Sequence, residues 1–270
     1  MPRISLYSDY VTADNTNMAN LQPIQKVAKL ALETFKYVNK GDKHVFLDKL
    51  ESLCASVNRI RAADVGVDLT ANALPPVPAT APVGYMFIAE NSAVSMGVFV
   101  VERGCRLPLH DHNGMHGVIK VLSGTIRMHS YDLLTEDEVN SIKIPDSLAH
   151  PNSESDEELM RNLIPVRKKA EAKIITPESK PCVLSPMESN VHSLESIDGP
   201  AAFLDVLSPP YDPDTGRDCV YYTETPFSSS NLKLKETPVD LRWLLRIPQP
   251  SSFWCHQQSY LGPPVNLGQL

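Results

Sequence analysis

From residue 85 onward the apolar residues fall into short runs bounded by Gly, Pro, Asn and Ser, a rhythm that constrains the fold more than any other feature. The runs lie at 85–89, 94–102, 118–122, 125–131, 172–175, 182–184, 191–195, 201–207 and 220–223, with a pair near 242–247 and 253–254. Most are too short for a stable helix and many are rich in β-branched and aromatic residues, so they read as strands. Many short strands at near-regular spacing predict an antiparallel sandwich or barrel. The 23 prolines against 12 glycines agree, because proline breaks helices and stiffens turns. An apolar fraction of 42% over 270 residues supplies a core for one large domain with additions.

The first part of the chain follows a different rhythm. Residues 1–20 are polar and read as a flexible terminus. Ile24, Val27, Ala28, Ala31, Phe35 and Val38 recur at helical spacing. Phe46, Leu50, Leu53, Val57 and Ile60 repeat the pattern behind Asp42, a candidate cap. Residues 21–68 are thus two amphipathic helices packed outside the sheet. A proline-rich connector spans 69–84 and leads into the β-rich domain of 85–270. Within that domain, 135–169 is charged and reads as a surface insertion, with His150 as a solvated loop residue.

A net charge of -7 and the lack of a Lys/Arg cluster argue against a nucleic-acid surface. Cys54, Cys105, Cys182, Cys219 and Cys255 are widely spaced, without a C-x-x-C pair, and read as thiols of a reducing compartment. The first ten residues hold no apolar signal core, and no run is long enough to span a bilayer. The expectation is a soluble, cytoplasmic monomer.

His110-Asp111-His112 stands between two strand-like runs, with His192 as a third candidate. Residues i and i+2 of a strand point the same way, so His110 and His112 can present two imidazoles to one metal ion. Two buried, hydrogen-bonded polar residues are the plain alternative. Gly104, five residues, His110, one residue, His112, four residues, Gly117, six residues and Gly124 resemble the first cupin motif, with Gly117 where that motif has Glu. Residues 185–192 resemble the second motif, with Glu188 near its glycine and His192 as its histidine.

The closer resemblance is to the 2-aminoethanethiol (cysteamine) dioxygenases, relatives of the plant cysteine oxidases. Residues 108–117 resemble that family's metal segment, 199–212 its second signature and 216–222 a third. The resemblance implies a cupin (double-stranded β-helix, jelly-roll) barrel with Fe(II) held by His110, His112 and His192. It also implies O2 as a substrate and two thiol substrates, free cysteamine and proteins or peptides beginning with cysteine. Both share a 2-aminoethanethiol unit, and oxidation of the latter marks a protein for degradation, so the family senses oxygen.

The chemistry is consistent with this. Three neutral imidazoles without a carboxylate leave the full dipositive charge on the metal and up to three positions open. An anionic thiolate ligand is then favoured. Thiolate and then O2 are expected at the iron, both oxygen atoms going to sulfur as a sulfinic acid. Asp205, at a strand end in the second signature, either orients an imidazole, holds the substrate amine or caps the turn before Pro209. Tyr211 either donates its hydroxyl to oxygen at the iron or packs under its loop. His116 is either a substrate contact or a buried histidine. The resemblance makes Cys219 and Tyr221 the candidate thioether pair, against a free thiol beside an aromatic ring. A cupin binding module with an unreactive metal is the rival reading; an isomerase or another cupin oxygenase would be expected to keep the glutamate that Gly117 replaces.

Overall fold

The structure, a computed structural model, describes residues 18, 20–38, 42–69, 81–142, 153–169, 171–228 and 240–268. Residues 1–17, most of the connector, and His150 with the middle of the charged insertion lie outside the described residues.

Helix α1 (Pro23–Phe35) starts with proline, whose missing N–H would be unpaired there anyway. It buries Ile24, Val27, Ala28, Ala31 and Phe35 on one face. Helix α2 (Lys43–Val57) is capped by Asp42, which accepts the Val45 N–H at 3.1 Å. Eleven strands follow among the described residues: β1 (Val83–Glu90), β2 (Ser95–Val101), β3 (Arg106–His110), β4 (His116–Leu133), β5 (Leu163–Lys168), β6 (Lys173–Ile175), β7 (Cys182–Leu184), β8 (Val191–Ser208), β9 (Tyr221–Ser228), β10 (Leu241–Ile247) and β11 (Cys255–Gln258).

Strands β8, β3, β9, β10, β5 and β4 pair in turn, and β4 pairs back onto β8, so six strands close a ring. β2, β1 and β11 widen the sheet on the β8 side, while β6 and β7 attach to β4. Closure leaves the ring without a free edge. Side chains alternate across the sheet as the period of two requires. Met96, Val98 and Val100 of β2, with Ala202, Leu204 and Val206 of β8, face outward and share a core with Ile24, Val27, Ala31 and Phe35. Their neighbours Gly97, Phe99, Phe203, Asp205 and Leu207 face inward and line a cavity.

Two differences from the sequence reading matter. The runs on either side of Ser123-Gly124 are one strand of 18 residues, as are the runs on either side of Gly199-Pro200. Gly124 adopts φ +73° inside a bulge, and a Cβ there would lie 2.4 Å from the Pro200 carbonyl oxygen. It bends the β4–β8 pair around the barrel corner instead of ending it. Secondly, β5 falls inside the segment assigned to the charged insertion, yet it is a member of the ring. Leu163 and Val166 are buried there, and the adjoining Arg167 and Lys168 had hidden them in a charged run. Among the described residues no helix is long and apolar enough to cross a membrane.

Candidate metal centre

The imidazoles come from neighbouring strands. His110 is the last residue of β3 and pairs in register with His192 of β8. The strand ends there, so His112 is carried by the turn that follows and not by a continuing strand. All three rings are buried, and one ring nitrogen from each lies within 4.8 Å of the others. Nε2 of His112 and Nε2 of His192 are 3.3 Å apart. Two nitrogens each about 2.1 Å from a single ion stand about 3 to 3.4 Å apart, so the spacing fits a shared metal.

The opposite nitrogens are already engaged. Nδ1 of His110 donates to the Pro108 carbonyl at 2.8 Å, and Nδ1 of His192 to the Ser189 carbonyl at 3.2 Å. A carbonyl only accepts, which puts the proton on Nδ1 and leaves the Nε2 lone pair for the metal. Nδ1 of His112 meets the Tyr211 hydroxyl at 2.9 Å, and that hydroxyl donates to the Asp111 carbonyl at 2.7 Å. Burial first, and the neighbouring imidazoles second, hold His112 well below the ordinary histidine range and His192 down at about 3. Burial lowers His110 too. All three are therefore neutral at pH 7 and ready to ligate.

Tyr211 thus stands behind a ring of the centre. Tyr211→Phe is expected to lower metal affinity about 10- to 100-fold, as loss of such partners typically does, in a competition titration with a chelator. Unchanged affinity would show that His112 is oriented without it.

Two positioning residues escape a motif search. Asn190, fully buried, donates from Nδ2 to the His112 carbonyl at 2.8 Å and accepts the His112 N–H at 3.3 Å. It ties the His112 turn to the approach to β8. The Asp111 carboxylate accepts the Val220 N–H at 3.1 Å and the Tyr222 hydroxyl at 2.8 Å, tying the same turn to β9. Their proximity to the histidines in sequence is the one available signal, because each works through contacts made across the fold.

The cavity beside the histidines has a volume of about 300 Å³ and largely apolar walls, including Leu107, Phe99, Phe203, Leu207 and Phe253. Asp205 lies within β8, paired to Gly97 and Ile119, and not at a strand end as expected. It makes no hydrogen bond to a histidine; one of its carboxylate oxygens is buried without a partner. Burial pushes its pKa up to about 7, with the Val206 N–H pulling it back. A Cβ on Gly117 would lie 2.8 Å from Leu207 and 3.0 Å from Leu184. Leucine side chains occupy the room that a carboxylate ligand there would need.

Cys219 and Tyr221 both line the cavity, as does Tyr211, and the hydroxyls of both tyrosines act on the Cys219 thiol. Burial keeps it a thiol by pushing its pKa up to about 11. His116 goes elsewhere. It does not line this cavity; its ring packs 5.2 Å from that of Phe46 and 6.3 Å from that of Phe35. The strand turns it outward to the helices, which corrects the expected substrate contact.

The closed six-strand ring brings three buried imidazoles together at one cavity, a group that could hold a metal ion. The PCO_ADO family profile matches residues 56–265, and the chain belongs to that family. It is 39% identical to a mouse 2-aminoethanethiol dioxygenase over 259 residues, covering 92% of this chain and 98% of that protein. The human 2-aminoethanethiol dioxygenase is 36% identical over 272 residues, with 92% and 98% covered. Plant cysteine oxidase 2 of Arabidopsis thaliana is 29% identical over 254 residues, covering 90% of this chain and 83% of that protein.

Proposed function

We propose that this chain is an Fe(II)-dependent thiol dioxygenase for 2-aminoethanethiol units, converting cysteamine to hypotaurine and an N-terminal cysteine to its sulfinic acid. The observation that carries this reading is three neutral imidazoles, one ring nitrogen from each within 4.8 Å of the others, beside an apolar cavity that also holds an unpartnered Asp205 oxygen. When bound, Fe(II) supplies the redox-active centre at which a thiolate and O2 react, a reaction forbidden by spin without it.

The protein side chains do the rest. His110, His112 and His192 hold the ion, and Tyr211 keeps the His112 ring in place. The cavity walls keep water from the reacting sulfur. Of the roles open to Asp205, holding the substrate ammonium agrees best with its free oxygen and its lack of a histidine partner. The β-rich part from 85 onward is the catalytic domain, and the helices of 21–68 cover its outer face. The five unpaired cysteines support a cytoplasmic setting, and we take the protein to act there as a monomer that senses oxygen through N-terminal cysteines.

The test is anaerobic loading with Fe(II), then O2 with cysteamine or a short peptide bearing an N-terminal cysteine, read by mass spectrometry. Gain of two oxygen atoms is the expected result. No gain on either thiol with iron bound would turn the reading to a binding cupin. Prolonged turnover is also expected to join Cys219 to Tyr221 as a thioether. Sulfur bonds to a ring carbon, the thiol and ring each lose a hydrogen, and O2 is the oxidant. A loss of two hydrogens mapped to that peptide checks it; an unchanged peptide mass would sink the cross-link.

A further inference from the structure

We propose that Glu90 forms a second cation subsite of this cavity and selects peptide substrates with a basic second residue. The inference rests on the reading of N-terminal cysteine peptides as substrates and names a specificity-determining residue for them. Cysteamine has four heavy atoms; at about 30 Å³ each, the share of a water, it fills about 120 Å³. That is less than half of the cavity of about 300 Å³. The remaining room can take more of a substrate than the reacting unit.

The strand register says what faces that room. Asp205 is paired with Gly97 of β2, and Ser95, two residues along the same strand, is paired with Glu90 of β1. Paired residues share a face, as do residues two apart, so Asp205, Gly97, Ser95 and Glu90 all point to the cavity. All four line it. Gly97 leaves its space to the phenol of Tyr85, whose hydroxyl would lie 2.7 Å from a Cβ there.

Among the described residues both charged groups of the lining are carboxylates, Asp205 buried and Glu90 exposed, and no Lys or Arg lines the cavity. Among the described residues Glu90 has no ion-pair or hydrogen-bond partner for its side chain. Asp205, 93% buried from a relative exposure of 7%, has one oxygen without a partner. A buried carboxylate left open in this way calls for a cationic ligand.

The spacing suits one ligand with two cations. Two strand spacings of about 4.8 Å and two rises of about 3.4 Å put the Cα atoms of Asp205 and Glu90 about 12 Å apart. In an extended peptide a lysine at position two carries its ammonium roughly 10 Å from the α-ammonium. With the α-ammonium at Asp205, the second side chain reaches Glu90. A lysine or arginine there is attracted and a glutamate repelled.

The experiment uses the full chain loaded with iron. Cys-Lys-Gly-Gly, Cys-Ala-Gly-Gly, Cys-Glu-Gly-Gly and cysteamine are compared by initial rate of sulfinate formation. The expected order of kcat/KM is Lys above Ala above Glu, with about tenfold between the extremes at low salt and less at high salt. Glu90→Gln should compress that range to about twofold, and Glu90→Lys should invert it. Calorimetric titration with Ser-Lys-Gly-Gly and Ser-Glu-Gly-Gly, which hold no thiol, reads the same preference without turnover. Oxidation of all peptides with no order, or an order that survives Glu90→Gln, would overturn the subsite and leave the dioxygenase standing. A Glu90-dependent preference among the serine peptides with no thiol oxidised would support the subsite and overturn the dioxygenase.

Discussion

His112→Ala is expected to remove metal and turnover together while the barrel stays folded. The imidazole is a wall of an existing cavity, so its loss enlarges a hollow and does not open a packed core. The backbone of residue 112 remains held by Asn190 through two hydrogen bonds, and the turn remains clamped to β9 by Asp111. What disappears is one of the three proposed ligands, and with it the geometry that would let three imidazoles share an ion. We expect iron content to fall from about one equivalent to below a tenth and turnover to fall at least about 1,000-fold. The melting temperature of the metal-free variant should stay within about 4 °C of the metal-free wild type, the shift that about 1 kcal/mol produces. Metal analysis and calorimetry on the same preparations check this. Thiol oxidation at the wild-type rate would mean that His112 is not a ligand.

Asp205→Asn is expected to make the metal-free protein more stable and the loaded enzyme far less active. The carboxyl has a pKa of about 7 in the folded chain against 3.8 when free, because burial penalises its charge. Between about pH 4 and 7 the unfolded chain has released a proton that the folded chain keeps. Stability from this group is therefore full below about pH 4 and is lost as pH rises to about 7. Three pKa units correspond to about 4 kcal/mol as an upper figure. Asparagine keeps the shape and removes the charge, so urea midpoints of wild type and variant should diverge between pH 5 and pH 8, the variant being the more stable at pH 8. Its cysteamine turnover should fall at least about 100-fold, since an amide offers no charge to an ammonium. A variant no more stable at pH 8, or one as active as wild type, would remove Asp205 from the proposed substrate contact.

A site that costs stability and carries activity is where local rules are expected to fail. Asp205 illustrates how far sequence could go: its place in a signature made it a candidate, while its alternatives stayed open until its partners were seen. Tyr211 was open in the same way. Its hydroxyl proves to meet His112 Nδ1, a contact between residues 99 apart in sequence. Asn190 was not singled out, and Asp111 was named only as the middle of the His110-Asp111-His112 run, without a role. Their side chains bond to backbone groups 78 and 109 residues away, and residue type alone carries no trace of that.

Strand existence was more legible than strand extent. Cys182–Leu184 coincides with its apolar run because the run ends where burial ends. β3 lies outside the apolar runs of the sequence, since polar Arg106 and His110 flank its three middle residues, yet it pairs on both sides. Gly124 reads as a turn in sequence and acts as a barrel corner, because only the facing Pro200 carbonyl reveals why no side chain fits.

The sequence by itself determined the β-rich fold class, the two outer helices and the three histidines, because periodicity and ligand chemistry are local properties of residue order. Tertiary structure alone decided which ring nitrogens of the three histidines are left free to ligate, that His116 turns away to Phe35 and Phe46, and that Glu90 and Asp205 share one cavity. Those depend on strand register and ring closure, which bring together groups that no spacing along the chain relates.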